Sequence, residues 1–87
     1  MDFEWDDAKS EANLRERGIG FDVAARIFAG RTVERVDDRQ DYGEVRVQAV
    51  GEAAGLILFV VYTDRGDARR IISARLASRK ERDAWHA

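Results

Sequence analysis

An unbroken apolar run, Leu56-Ile57-Leu58-Phe59-Val60-Val61-Tyr62-Thr63, constrains this chain more than any other stretch. A run rich in Val, Ile and Phe and bounded by turn residues reads as a strand buried on both faces of a sheet. It is far too short to cross a bilayer. Asp64-Arg65-Gly66-Asp67 follows, with Gly66 supplying the positive φ of a tight hairpin. The chain returns as Ala68-Arg69-Arg70-Ile71-Ile72-Ser73-Ala74-Arg75. The expectation is a central strand, a hairpin, and a returning strand that carries arginines out of the core.

Charge is distributed unevenly about this stretch. From Arg65 onward there are seven basic residues and three acidic ones, against eight and fourteen before it, so a net charge of -2 conceals a basic C-terminal part. A concentrated cationic surface on an otherwise acidic domain suits a phosphate-bearing ligand. The same arginines could equally pair with the acids of the first half.

Length and composition bound the rest. Eighty-seven residues, 45% hydrophobic and 37% charged, make one small globular domain, residues 1–87. A chain this size buries roughly 60–65% of its unfolded surface, enough for one core. The absence of Cys rules out a disulfide framework and thiolate metal ligands, and fits a reducing cytosol. With one histidine, His86, a zinc site or a Ser-His-Asp triad is disfavoured, and no metal or other cofactor is expected. The acidic start has no apolar signal region, so a cytoplasmic protein with no membrane contact is expected.

Taken in order, Phe3-Glu4-Trp5 alternates as an edge strand. Asp6 is a good N-cap for a helix running to about Arg17, with Gly18 as its stop. Phe21, Ala24, Ala25 and Phe28 fall on one face of a second helix ended by Gly30. Thr32 to Val36 reads as a strand and Asp37 to Asp41 as a polar loop. From Glu44 to Val50 alternation is clean, with Val45, Val47 and Ala49 against Glu44, Arg46 and Gln48. Gly51 to Gly55 reads as a turn. Ser78-Arg79-Lys80-Glu81 fits a capping box for a last helix, whose Trp85 packs onto the sheet. The result is an α+β domain, β-α-α-β-β-β-β-α, with a mostly antiparallel sheet, a helical hairpin and a C-terminal helix.

Strict alternation puts Arg69, Ile71, Ser73 and Arg75 on one face of the returning strand, and Arg70, Ile72 and Ala74 on the other. If the first set shares a face with Glu44 and Arg46, the sheet presents a cationic groove holding one carboxylate. Tyr42, Thr63 and Arg65 would rim it, and Arg79 and Arg82 would close one side. Such a groove suits RNA phosphodiester cleavage, with arginines stabilising the phosphorane bidentately. Glu44 would be the base if burial raised its pKa, and Tyr42 would supply or relay a proton. Glu44–Arg46 reads equally well as a surface pair, Tyr42 as a packing residue, and Lys9 with Asn13 as a solvated helix face.

Several blocks resemble one family. Phe3-Glu4-Trp5-Asp6, Ala8-Lys9, Asn13, Gly18 and Phe21 are similar to the opening of BrnT toxins. Asp41-Tyr42-Gly43-Glu44, Arg46, Gly51, Val60-Val61-Tyr62-Thr63, Arg65-Gly66 and Arg70-Ile71-Ile72-Ser73-Ala74-Arg75 resemble its later blocks, in order and at matching spacing. The resemblance implies a RelE-like fold and a metal-independent ribonuclease that arrests translation. It also implies a BrnA-like antitoxin with a ribbon-helix-helix DNA-binding part, through which alone the complex would touch operator DNA. Carried over by motif, the functional positions are Thr63, Arg65, Arg75 and Arg79, followed by Lys9, Tyr42, Glu44 and Arg46. Where many relatives carry Lys-His-Gly, this chain has Glu16-Arg17-Gly18. The competing readings are a non-enzymatic antitoxin-binding module and a plain nucleic-acid-binding domain.

Overall fold

The computed structural model describes residues 1–87. Its first strand, β1 (Asp2–Glu4), leads into helix α1 (Asp7–Arg17). Asp6 caps that helix by accepting from the Lys9 amide at 3.1 Å, and Gly18 ends it at φ 74°. The expected second helix is shorter than its apolar spacing suggests. Only α2 (Phe21–Ala24) is α-helical, and Ala25–Ala29 tightens into a 3-10 turn. Strands β2 (Thr32–Asp37), β3 (Arg46–Ala53), β4 (Leu56–Arg65) and β5 (Ala68–Leu76) follow, then helix α3 (Arg79–His86).

The five strands form one sheet in the order β1-β5-β4-β3-β2. All neighbours are antiparallel except β1, which pairs parallel with β5 through Asp2, Phe3 and Glu4. β4 is the central strand, and Leu58 to Thr63 are all buried, as an unbroken apolar run requires. The domain is α+β, with one face of the sheet covered by α1, α2 and the 3-10 turn. Ile19, Phe21 and Ile27 pack there on Ala49, Leu58, Val60, Ile71 and Ala74. Asn13, expected on a solvated helix face, is buried instead. Its amide donates to the carbonyls of Ile19 (2.6 Å) and Ala74 (3.1 Å) and ties α1 to the sheet.

The expected turn over Gly51–Gly55 is mostly strand. Gly51 pairs with Thr32 and Leu58 inside the sheet, and the reversal is confined to Ala54 and Gly55, both at positive φ. Gly51 is there because a Cβ would stand 2.9 Å from Ile27 Cβ. The missing side chain lets the 3-10 turn press onto the sheet.

The opposite, open face is only partly covered. There α3 packs Trp85 near a small cluster of Val50, Phe59, Val61 and Ala77. The capping box forms as expected, with the Glu81 amide donating to Ser78 Oγ (3.2 Å) and the Ser78 amide to Glu81 Oε1 (2.7 Å).

Candidate nucleic-acid interface

Which arginines share a face is decided by one residue. Val61 lies opposite Ser73 but Tyr62 lies opposite Ile71, so Ile72 is an extra residue in β5. This is a β-bulge, which breaks strict alternation. Arg69, Ile71 and Ala74 consequently sit on the helix face, while Arg70, Ser73 and Arg75 share the open face. The two sets expected from alternation are wrong for Arg69, Arg70, Ile71 and Ile72, which lie on the faces opposite to those expected, while Ala74 keeps its face. Arg69 is stacked 3.9 Å from the Tyr62 ring and 4.8 Å from the Phe28 ring, with Asp64 pairing its guanidinium at 2.8 Å. It faces away from the other candidate arginines.

Across the open face the register builds rows. One joins Asp37, opposite Arg46, to Thr63, opposite Arg70, with Arg70 in turn opposite Glu4. Thr63 is buried, and its hydroxyl donates to the Val45 carbonyl at 2.7 Å, which fixes the entry to β3. Arg70 stands 3.9 Å from Glu4, a loose pair. The next row joins Arg35, Gln48, Val61 and Ser73. Arg35 Nε donates to Gln48 Oε1 at 3.0 Å.

The loop before β3 carries the carboxylate. Glu44 bridges Arg46 and Arg65, each at 3.2 Å. The hydrogen bonds from Arg46, then Arg65, hold its carboxyl below the ordinary range. The condition under which Glu44 would be a base tuned toward neutrality is therefore not met, because two cations outweigh the slight burial. Tyr42 lies with its ring 4.1 Å from the Arg46 guanidinium.

Sequence reasoning missed the residue that organises this loop. Asp37, expected in a polar loop, ends β2 and is only 4% exposed. It accepts from Arg39 Nε and Nη2, both at 2.7 Å, and from the Tyr42 hydroxyl at 3.4 Å. The Arg39 hydrogen bonds outweigh desolvation and hold its carboxyl at about 2. The signal was present: continuing the Val33, Arg35 alternation puts Asp37 on the sheet.

The remaining candidates are spread out. Arg75 is engaged, lying 3.9 Å over the Phe59 ring and donating to both oxygens of Glu81 at 2.7 and 2.9 Å. Those bonds hold the Glu81 carboxyl at about 2 and tie α3 to β5. Arg79 is exposed on α3, and Arg82 donates to the Ala77 carbonyl at 3.2 Å. Lys9 is exposed on α1, on the opposite side of the sheet from Arg46 and Arg70. Arg17 is there too, donating to the Ala74 carbonyl at 3.3 Å. Three of the seven C-terminal cations, Arg65, Arg69 and Arg70, pair with upstream acids. Nowhere do three His, Cys, Asp or Glu side chains converge as a metal cage would require. No helix is long and apolar enough to cross a membrane.

The surface thus offers guanidinium groups that already hold an anion, next to an aromatic ring and a polar row. A sequence model of the family described as "Ribonuclease toxin, BrnT, of type II toxin-antitoxin system" matches residues 5–81, from just after β1 into the first turn of α3. No curated protein matches the chain.

Proposed function

This chain belongs to the BrnT family of ribonuclease toxins of type II toxin–antitoxin systems, and on that premise we propose that it is a metal-independent endoribonuclease acting on the open sheet face. It cuts RNA in the cytoplasm and arrests translation until a cognate antitoxin neutralises it. That antitoxin is of the BrnA kind, with a ribbon-helix-helix part that alone carries operator contact.

The observation that carries the reading is Glu44 held between Arg46 and Arg65. An RNA phosphate presents the same paired oxygens, so it can take over both guanidinium groups. Glu44, once released, loses the hydrogen bonds that hold its pKa down and regains ordinary basicity beside the bound nucleotide. It then accepts the 2′-hydroxyl proton as the 2′-oxygen bonds to phosphorus. The P–O5′ bond breaks, and Tyr42 or water returns a proton to the leaving oxygen. Arg46, Arg65 and Arg70 stabilise the charge on the phosphorane. The products are a 2′,3′-cyclic phosphate and a 5′-hydroxyl.

The test is cleavage of a defined RNA in EDTA by the parent and by Arg46→Ala, Arg65→Ala and Arg70→Ala variants of matched thermal stability. Arg26→Ala, on the helix face, is the control. The parent is expected to cut and leave a cyclic phosphate, and each open-face variant to lose about 10²-fold in rate, the usual cost of removing one donor to a developing oxyanion. A parent inert on free RNA and on translating ribosomes refutes the reading. That result would favour the second one, an antitoxin-binding module that only co-represses its operon. It too has an observation behind it, since Glu44, Asp37 and Glu81 are all held below their ordinary pKa.

A further inference from the structure

Helix α3 crosses the open face as a strap tied at both ends. At its start Arg75 holds Glu81 through two hydrogen bonds. At its end Trp85 Nε1 donates to the Arg31 carbonyl at 3.2 Å, and the Arg31 guanidinium lies 4.5 Å over the indole and donates to the Trp85 carbonyl. Between the ties the helix stands off the strands, leaving a cleft of about 290 Å³. That is at the small end for ligand pockets, room for one ring system.

The lining is amphipathic in a specific way. Val50 and the part of Phe59 that Arg75 does not cover give apolar contact for a flat ring, and Ala84 forms part of the wall from the helix side. Arg35 and Gln48 stand among the strand residues and Lys80 comes from α3. A primary amide both donates and accepts, and Arg35 spends only its Nε on Gln48, so its terminal amino groups remain available. The two carboxylates that line the cleft are engaged, Glu34 with Tyr62 and Thr32, and Glu81 with Arg75 and Ser78. The Arg35–Gln48 row is two residues along the strands from the Asp37–Arg46 row. That is a step of about 7 Å. A nucleotide whose phosphate lies on Arg46 therefore has a base within reach of the cleft.

We propose that the cleft under α3 is a nucleobase subsite, in which the base beside the scissile phosphate lies on Phe59 and Val50 and has its edge read by Arg35 and Gln48. The proposal rests on the ribonuclease reading for its role in cleavage, but base binding can be measured without it. Sequence preference then resides between α3 and the sheet, and the cutting arginines remain indifferent to the base.

Two measurements test it, both on the full chain. The first maps cut sites in an RNA pool with a randomised segment, for the parent, Ala84→Phe (which fills the cleft) and Arg26→Ala. The parent should prefer one base at a position flanking the cut by about tenfold or more, the discrimination a good base-edge contact supplies. Ala84→Phe should flatten that preference, and Arg26→Ala should leave it intact. The second titrates the four nucleoside monophosphates and follows the NMR shifts of the Gln48 side-chain amide and the Ala84 methyl. Saturable shifts that are lost in Ala84→Phe support the subsite even in a parent that cuts nothing, in which case only the ribonuclease reading falls. A folded Ala84→Phe that keeps the parent's preference, or monophosphates that leave both signals unmoved, overturns the subsite.

Discussion

Asp37 offers the sharpest test of how this face is built. Its carboxyl sits at about 2 against an ordinary 3.8. At about 1.36 kcal/mol per unit that difference corresponds to about 2.4 kcal/mol of stabilisation. The Arg39 side chain is 63% exposed, however. Water screens the pair, so about 1–1.5 kcal/mol is the better figure. In a domain of this size that lowers the melting temperature by about 5–10 °C. Because the folded pKa is depressed, the stabilisation is present in full above the ordinary pKa and is lost as pH falls from about 3.8 to about 2. Thermal melts of the parent, Asp37→Asn, Arg39→Ala and the double variant, at pH 7 and near pH 2, read this directly. At pH 7 the single variants should each melt lower, and the double variant should cost less than their sum. Near pH 2 the gap between the parent and Asp37→Asn should close. A pH-independent gap, or strict additivity at pH 7, would refute the argument that the Asp37–Arg39 pair holds the loop.

Three further outcomes follow from the packing. Arg75→Ala removes both bonds to Glu81, and faster amide exchange throughout α3 should report release of the strap. The accompanying loss of stability, about 1 kcal/mol after screening, should fade as pH drops from 4.5 to about 2, where the depressed Glu81 carboxyl protonates. Gly51→Ala drives a methyl to 2.9 Å from Ile27 Cβ, a branch point that cannot swing aside. An overpacking cost of about 1–3 kcal/mol should appear in chemical denaturation. Ala54 has φ 52° ahead of Gly55. Ala54→Asn makes the Asn-Gly pair preferred in such hairpins, so it should raise the midpoint of denaturation by about 0.5 kcal/mol equivalent.

The sheet was legible because its signals are local. The apolar run of β4, the Asp6 and Ser78 caps, and the alternation of Val47, Ala49, Arg46 and Gln48 each depend on a few neighbouring residues. What was not legible depends on three-dimensional registration. Nothing in Ile71-Ile72-Ser73 marks Ile72 as the bulged residue, yet that one extra residue exchanges Arg69 for Arg70 on the open face. Gly51 reads as a turn residue until the 3-10 turn is packed against it. Asn13 and Arg17 look solvated on α1 until the Ala74 carbonyl is set beside them. Arg75 was legible as a conspicuous cation. That its partner is Glu81, six residues on, depends on where the last helix folds back.

The ion pairs bear on how an acidic chain would bind RNA in the function proposed above. Six arginines are paired with carboxylates of the same chain: Arg39, Arg46, Arg65, Arg69, Arg70 and Arg75. A phosphate approaching the open face therefore exchanges for a carboxylate and does not simply add to bare positive charge. That exchange weakens the sequence-independent attraction that dominates non-specific nucleic-acid affinity. Glu44 is the carboxylate best suited to exchange, since it is shared between two guanidinium groups and carried on a loop instead of a strand. A phosphate that reaches only one of them leaves Glu44 on the other and gains little. One that reaches Arg46 and Arg65 together, with a base lodged under α3, satisfies both cations and frees the carboxylate at the same moment. In the reading proposed here, binding in the right register is thus also what activates the base.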